Sequence, residues 1–267
     1  MKNIILLFII ISSVNLYSQE IPVYAQQRRY SEINCKSCIR NYYFFGEYYI
    51  DRNKKNIIDL KTLEAGINKI VEDVNSTDLI VLDIENKIYQ DIKIKSRKDK
   101  DYKKNIEKLV EMVQFVKKIR PKSKVVLYGI PFNFNYSFQK DYNDYEKLKP
   151  LLNAVDYLSP SLYLMYSNKE RDVSYFKNYI ESNLELTFQF ASKVNKEVLP
   201  FIWYKVHPYN KKYGNMSIED NSFKNYINTI KNFRYQNKKV KGLIYWESSK
   251  DKMNINGKLE KTIKILN

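Results

Sequence analysis

The segment Leu79-Ile80-Val81-Leu82-Asp83-Ile84-Glu85 ends an apolar run on two carboxylates spaced two residues apart. Side chains alternate between faces in an extended chain, so Asp83 and Glu85 share one face and Leu82 and Ile84 the other. Two carboxyls packed together in a cleft do not both ionise easily. One is pushed toward its protonated form, which is what a general acid working near neutral pH requires. Glu85, nearer the strand end, is the better candidate for the acid, with Asp83 as its partner. A second reading stays open for the D-x-E alone: it caps a following helix or pairs with a lysine.

Other apolar runs end on residues of a different kind: Tyr128 with Pro131, then Ser159, Ser161 and Tyr163, then Trp203, Tyr204 and Lys205, then Tyr245, Trp246 and Glu247. Aromatic faces cover the apolar side of a sugar ring, and phenolic hydroxyls orient its polar substituents. Any one of these aromatics is also a candidate core residue in a chain with 24 tyrosines and 13 phenylalanines; their joint position at strand ends is what favours a carbohydrate ligand. His207 beside Pro208 reads as a loop residue, and Glu247 as either a second acid or a surface charge. With one histidine and one C-x-x-C, four zinc ligands are hard to assemble, so no metal is expected. With six glycines and no G-x-G-x-x-G or P-loop, neither is a nucleotide cofactor.

Residues scattered over so many segments need a fold that gathers strand ends. The pattern predicts strands at 21–24, 42–50, 79–85, 124–130, 157–163, 198–206 and 240–246. Helices are predicted at 62–74, 102–119, 142–153, 175–194, 218–233 and the C-terminus. Such alternation means parallel βαβ units, and seven or eight of them suggest an α/β fold of the closed, TIM-like (β/α)-barrel type over a doubly wound sheet. In such barrels the reactive residues sit at the C-terminal strand ends.

The first 18 residues, with a lysine and then the apolar run Ile4 to Ile11, read as a secretory signal peptide and are too short to span a bilayer. Residues 19–267 are then one exported domain without stable membrane insertion. Export disfavours nucleic acid as the partner of a chain with a formal charge of +16. That charge is read either as solvated lysines or as a surface for an anionic partner. Cys35 and Cys38 in an exported chain favour a local disulfide over redox chemistry.

In four segments the chain resembles the hyaluronidase family of venom and sperm-type enzymes, glycoside hydrolase family 56. They are LIVLDIE (79–85), VLYGIPF (126–132), LSPSLYL (158–164) and GLIYWESS (242–249), with VLPFIWYK (198–205) matching in character and place. The family continues D-x-E with an acidic residue, Trp and Arg-Pro, where this chain has Asn86-Lys87-Ile88-Tyr89. The resemblance implies a distorted barrel and hydrolysis of N-acetylhexosaminide linkages with retention, the substrate's own acetamido oxygen acting as nucleophile. It casts Glu85 as acid and base, Asp83 as its regulator, and Tyr163 as the residue that orients the acetamido group. Trp246 becomes the pocket wall, and Tyr128 lines the same subsite; Tyr204, from its place at a strand end, is a further candidate substrate-binding residue. The expected partner is a polysaccharide of hyaluronan or chondroitin type. Two other classes remain: a non-catalytic carbohydrate-binding protein on the same barrel, and a structural or adhesion protein with a cationic surface.

Overall fold

The computed structural model describes residues 21–26, 33, 38–248 and 257–267. The strand that carries the two carboxylates is short and wholly buried: β3 spans Leu79–Leu82. Four aliphatic residues without alternation suit a parallel strand covered on both faces. It pairs in parallel with β2 (Ile39–Phe45) and β4 (Lys124–Leu127), in a register that sets Phe45, Leu82 and Leu127 side by side. Beyond β2 come β1 (Val23–Ala25), β8 (Leu243–Tyr245) and β7 (Phe201–Ile202), giving a six-stranded parallel sheet in the order β4-β3-β2-β1-β8-β7.

Two further strands, β5 (Tyr157–Leu158) and β6 (Glu197–Val198), pair with each other and bridge the sheet's edges. On one side the Asp156 N–H donates to the Val125 carbonyl, and Gly129 N–H to that of Ser159; on the other, Phe201 N–H donates to the Pro160 carbonyl and Leu162 N–H to that of Phe201. The curled sheet is thereby carried from β4 through β5 to β7. β6 and β7 form one stave interrupted at Pro200, which has no N–H for a ladder. Counted this way, the described residues supply seven staves, the lower end of the expectation.

Helices α1 (Glu47–Ile50), α2 (Leu60–Ile70), α3 (Lys87–Ile94), α4 (Lys100–Ile119), α5 (Tyr145–Ala154), α6 (Val173–Val194), α7 (Asp220–Asn232) and α8 (Lys258–Leu266) connect or follow the staves. Asp59, Asn86, Asp99, Asp144 and Asp172 cap α2 to α6 in turn, each side chain accepting from an N–H of the first turn. The apolar faces of sheet and helices form one buried cluster. None of the described helices is long and apolar enough to cross a membrane. Cys38 is disulfide-bonded; Cys35, the other cysteine in the sequence, and the leader segment lie outside the described residues.

Three expectations need correction. The second strand ends at Phe45 rather than running to Ile50, because the Tyr49 N–H turns back to the Gly46 carbonyl and starts α1. The short helix α3, started by the Asn86 cap, occupies a stretch for which no element is predicted. The strands are also shorter at their C-terminal ends than the apolar pattern suggests, since the staves splay where they reach the site.

Gly129, at the splayed end of β4, has φ +69°, and a Cβ there would lie 2.6 Å from the Tyr89 hydroxyl, which itself donates to the Gly129 carbonyl at 3.1 Å. Gly129→Ala should cost about 1–2 kcal/mol for the left-handed backbone alone, with more from displacing Tyr89. Urea unfolding should show a lower midpoint at unchanged slope, partly restored by adding Tyr89→Phe.

Candidate active site

The site is built where β2, β3 and β4 end together. Asp83 keeps one ladder bond, its N–H donating to the Phe45 carbonyl, and the Tyr128 N–H likewise donates to the Leu82 carbonyl. Ile84 is buried between the two acids. Asp83 is half-buried, and its Oδ1 is enclosed without a hydrogen-bond partner. Burial pushes its carboxyl well above the usual aspartate range, and the charges of Glu85 and Glu47 push it further. Glu85 is raised as well, by burial first and then by Glu47, with Lys93 pulling the other way. Its side chain is exposed, yet burial is still the largest cause of its shift, so it combines access to solvent with a partly desolvated carboxyl. The two acids are thus within mutual electrostatic reach, as their spacing predicts.

Glu47 is a third carboxyl that the sequence reading missed. It opens α1, and its Oε1 accepts from the Glu85 N–H at 3.2 Å. An acid two residues past a strand end was the available signal, hidden because β2 was drawn through to Ile50.

Within electrostatic reach of the acids stands a connected set of rings. Tyr128 meets Phe201 edge-on at 5.0 Å and Tyr163 at 5.8 Å; Tyr163 in turn lies 5.6 Å from Trp203 and 5.9 Å from Trp246, and the two tryptophans meet edge-to-face at 4.8 Å. The Tyr128 hydroxyl donates to Ser161 Oγ at 3.1 Å. The Tyr163 hydroxyl and Trp203 Nε1 are buried without a partner, an uncommon and costly state for a polar atom away from a binding site. Burial raises the pKa of both tyrosines well above the phenol value. Secondary contributions come from Glu85 and, more weakly, Asp83 at Tyr128, and from Tyr128 and other groups including Asp83 at Tyr163. Both hydroxyls therefore stay protonated and can donate.

Where this segment leaves the ladder, side chains from the helices hold it. The Tyr179 hydroxyl of α6 donates to the Tyr163 carbonyl at 3.1 Å, and the Tyr226 hydroxyl of α7 to the Leu162 carbonyl at 2.8 Å.

Of the six residues singled out, Asp83, Glu85, Tyr128, Tyr163 and Trp246 gather here. Tyr204 does not: it is fully buried and stacks on Tyr245 at 6.2 Å. Neighbours on a strand face opposite ways, so Trp203 joins the cluster and Tyr204 turns from it. Glu247 is buried rather than a surface charge, and the His207 ring lies 6.4 Å from Tyr163, its pKa lowered by burial. Among the described residues no group of three or more His, Cys, Asp and Glu is placed to hold a metal ion.

No protein-family model matches the chain, and no curated protein matches it in sequence. Solved structures do. The crystal structure of bee venom hyaluronidase superposes with a TM-score of 0.69 at 14% identity, covering 92% of this chain and 100% of that one. The same bee enzyme in complex with a hyaluronic acid tetramer gives 0.64 at 15% identity, covering 93% and 96%. The chain shares the hyaluronidase fold. At this identity the likeness speaks for the barrel, and the chemistry rests on the residues themselves.

The raised pKa of Asp83 has a consequence for stability with a definite sign. The folded chain holds this proton at pH values where the unfolded chain has released it, so stability falls as pH rises from the ordinary aspartate range through the raised pKa. Asp83→Asn removes that penalty and keeps the shape. Its melting temperature should gain on the wild type as pH is raised from about 4 to about 7; a constant difference across that range would mean that Asp83 is not held neutral.

Proposed function

We propose that the protein is a retaining glycoside hydrolase that cleaves N-acetylhexosaminide linkages in a glycosaminoglycan-like polysaccharide, with Glu85 as its acid and base. The observation that carries the reading is the arrangement of one solvent-reachable carboxyl, held toward its protonated form beside a second, more buried one and within electrostatic reach of a connected cluster of aromatic rings, at the C-terminal ends of parallel strands. The fold shared with an enzyme solved around a hyaluronic acid tetramer supports the substrate class.

In the first step the Glu85 carboxyl gives its proton to the glycosidic oxygen as the bond from that oxygen to the anomeric carbon breaks. The acetamido carbonyl oxygen of the same sugar bonds to that carbon from the opposite face, so no protein nucleophile is required. In the second step the Glu85 carboxylate takes a proton from water, whose oxygen attacks the same carbon and reopens the ring formed by the acetamido group. Asp83, shielded and reluctant to ionise, spares Glu85 from a full neighbouring charge when Glu85 is deprotonated. Tyr163, with an unpaired hydroxyl, and Trp203, with an unpaired Nε1, are the donors suited to the acetamido oxygen; Trp246 forms the wall against its methyl group, and Tyr128 lines the recess. Export through the leader at 1–18 belongs to this proposal, since a polymer of this kind lies outside the cell.

Release of reducing ends from hyaluronan and chondroitin by the mature chain should fall by about two to four orders of magnitude in Glu85→Gln, the usual worth of a general acid, at matched thermal stability. Tyr204→Phe, altering a ring turned from the recess, should leave turnover within about twofold of wild type. Glycan binding without turnover by the wild-type chain would replace the enzyme with a binding protein on the same barrel.

A further inference from the structure

The chain that carries Glu85 is held from outside its own strand. Three consecutive residues, Glu85, Asn86 and Lys87, each donate a hydrogen bond to a side chain of the segment 47–56, which leads from β2 toward α2. The Glu85 N–H donates to Glu47 Oε1 at 3.2 Å, Asn86 Nδ2 to Asp51 Oδ2 at 2.9 Å, and the Lys87 N–H to Asn56 Oδ1 at 3.1 Å. Asp51 is buried and also accepts from the N–H groups of Lys55 and Asn56, at 2.8 and 2.9 Å, which fixes the loop that does the holding. The result is a clamp of three bonds whose first member grips the residue read as the acid.

The three acceptors differ in kind. The Lys87 N–H, at the start of α3, needs an acceptor outside the helix, and the neutral amide of Asn56 provides it. A neutral amide could hold the Glu85 N–H equally well, yet residue 47 is an acid, placed beside two carboxyls that it repels. The other groups around Glu85 do not duplicate its effect. Asp83, on the same strand, is itself kept toward its neutral form by burial, and burial likewise keeps the Tyr89 and Tyr128 hydroxyls protonated. Lys93 of α3 acts with the opposite sign, while Lys87 is paired with Asp91 and the Arg52 guanidinium lies over the Tyr48 ring. Among the described residues, Glu47 is thus the negative charge that opposes loss of the Glu85 proton.

We propose that Glu47 is a positioning residue for Glu85: from the neighbouring stave it fixes the backbone of the acid through one hydrogen bond and, through its charge, sets the pH range in which the acid is loaded. The inference rests on the reading of Glu85 as the acid and adds the residue that governs it. Glu47 acts through Glu85 and gives no proton to the substrate. The two parts of its role separate by substitution. Glu47→Gln keeps an acceptor for the Glu85 N–H and removes the charge, whereas Glu47→Ala removes both.

The test is a carbon-13 NMR titration of the Glu85 carboxyl in the full mature chain, its signal identified by its loss in Glu85→Gln. Removing a neighbouring negative charge makes the proton easier to lose, so the Glu85 midpoint should lie at lower pH in Glu47→Gln than in the wild type. An unchanged midpoint overturns the inference. Amide hydrogen exchange at Glu85 should be faster in Glu47→Ala than in Glu47→Gln; equal rates remove the anchoring half of the role. In hyaluronan turnover, the ratio of wild type to Glu47→Gln should widen about three- to tenfold from the acid plateau to the alkaline limb, the reach of one nearby charge in a solvated site. A ratio constant with pH, which a merely structural role would give, overturns the inference and leaves the hydrolase standing. A shifted Glu85 midpoint in a chain whose wild type turns over no hyaluronan supports the coupling of Glu47 to Glu85 and removes hyaluronan hydrolysis.

Discussion

The level register of β2, β3 and β4 is the constraint on which the rest depends. Phe45, Leu82 and Leu127 lie side by side, so the residues that follow them, Glu47, Asp83 to Glu85 and Tyr128, emerge at one height. A slip of one residue in β3 would turn both acids to the opposite face of their strand. The strand resists such a slip because all four of its residues are buried, and a shifted register would drive Asp83 into the same apolar surroundings without the opening toward solvent that Glu85 has.

Holding this site in place has a cost that the surrounding structure offsets. The staves leave their ladders just where the chemistry is placed, and a buried carbonyl off the ladder needs another donor. Tyrosines supply it. Tyr42 donates to the Tyr245 carbonyl, Tyr89 to that of Gly129, Tyr179 to that of Tyr163 and Tyr226 to that of Leu162. Each is a buried ring whose hydroxyl ends at a strand tip, so it fills core and fixes backbone at once. The tyrosine richness that looks like plain compositional bias is, at these four positions, what lets splayed ends stay rigid. Of the buried polar atoms left without partners, Asp83 Oδ1, Tyr163 Oη and Trp203 Nε1 belong to the candidate site, where a polar ligand can meet them, while Ser159 Oγ and Tyr175 Oη lie outside that set.

Much of this was legible in the sequence, for reasons that also explain what was not. The βα alternation shows through because buried parallel strands are unbroken apolar runs and their helices carry a 3.6-residue stripe; α4 and α6 were placed within two residues at each end. Asp83 and Glu85 could be read because a spacing of two survives any uncertainty about where β3 stops. The misses share one cause, since strand ends are where periodicity fades. Drawing β2 past Gly46 hid Glu47, and running 198–206 as one uninterrupted strand put Trp203 and Tyr204 on equal terms, although a period of two allows only one of them to face the recess. α3 was missed because its eight residues alternate charge and apolar character too evenly to announce a helix; the signal was Asn86, whose side chain accepts from the Ile88 N–H.

The excess of lysine divides along similar lines. Several lysines and one arginine act as structural donors at helix C-termini, where the last carbonyls lack partners and the helix dipole favours a cation. Lys117 donates to the Ala154 carbonyl at the end of α5, Lys231 to the Ile265 carbonyl of α8, Lys147 to the Lys93 carbonyl of α3, and Arg120 to the Val71 carbonyl that closes α2. Lys258, almost wholly buried, joins the Ile218 carbonyl to Asp220. These cations tie elements together and are occupied, so a formal charge of +16 is weak evidence of a polyanion by itself. Position discriminates where the sum does not: Lys93, among the described residues, has no carboxylate partner, lies over the Phe132 and Tyr142 rings and has a charge that reaches Glu85, so it bears on the site while the tied cations do not.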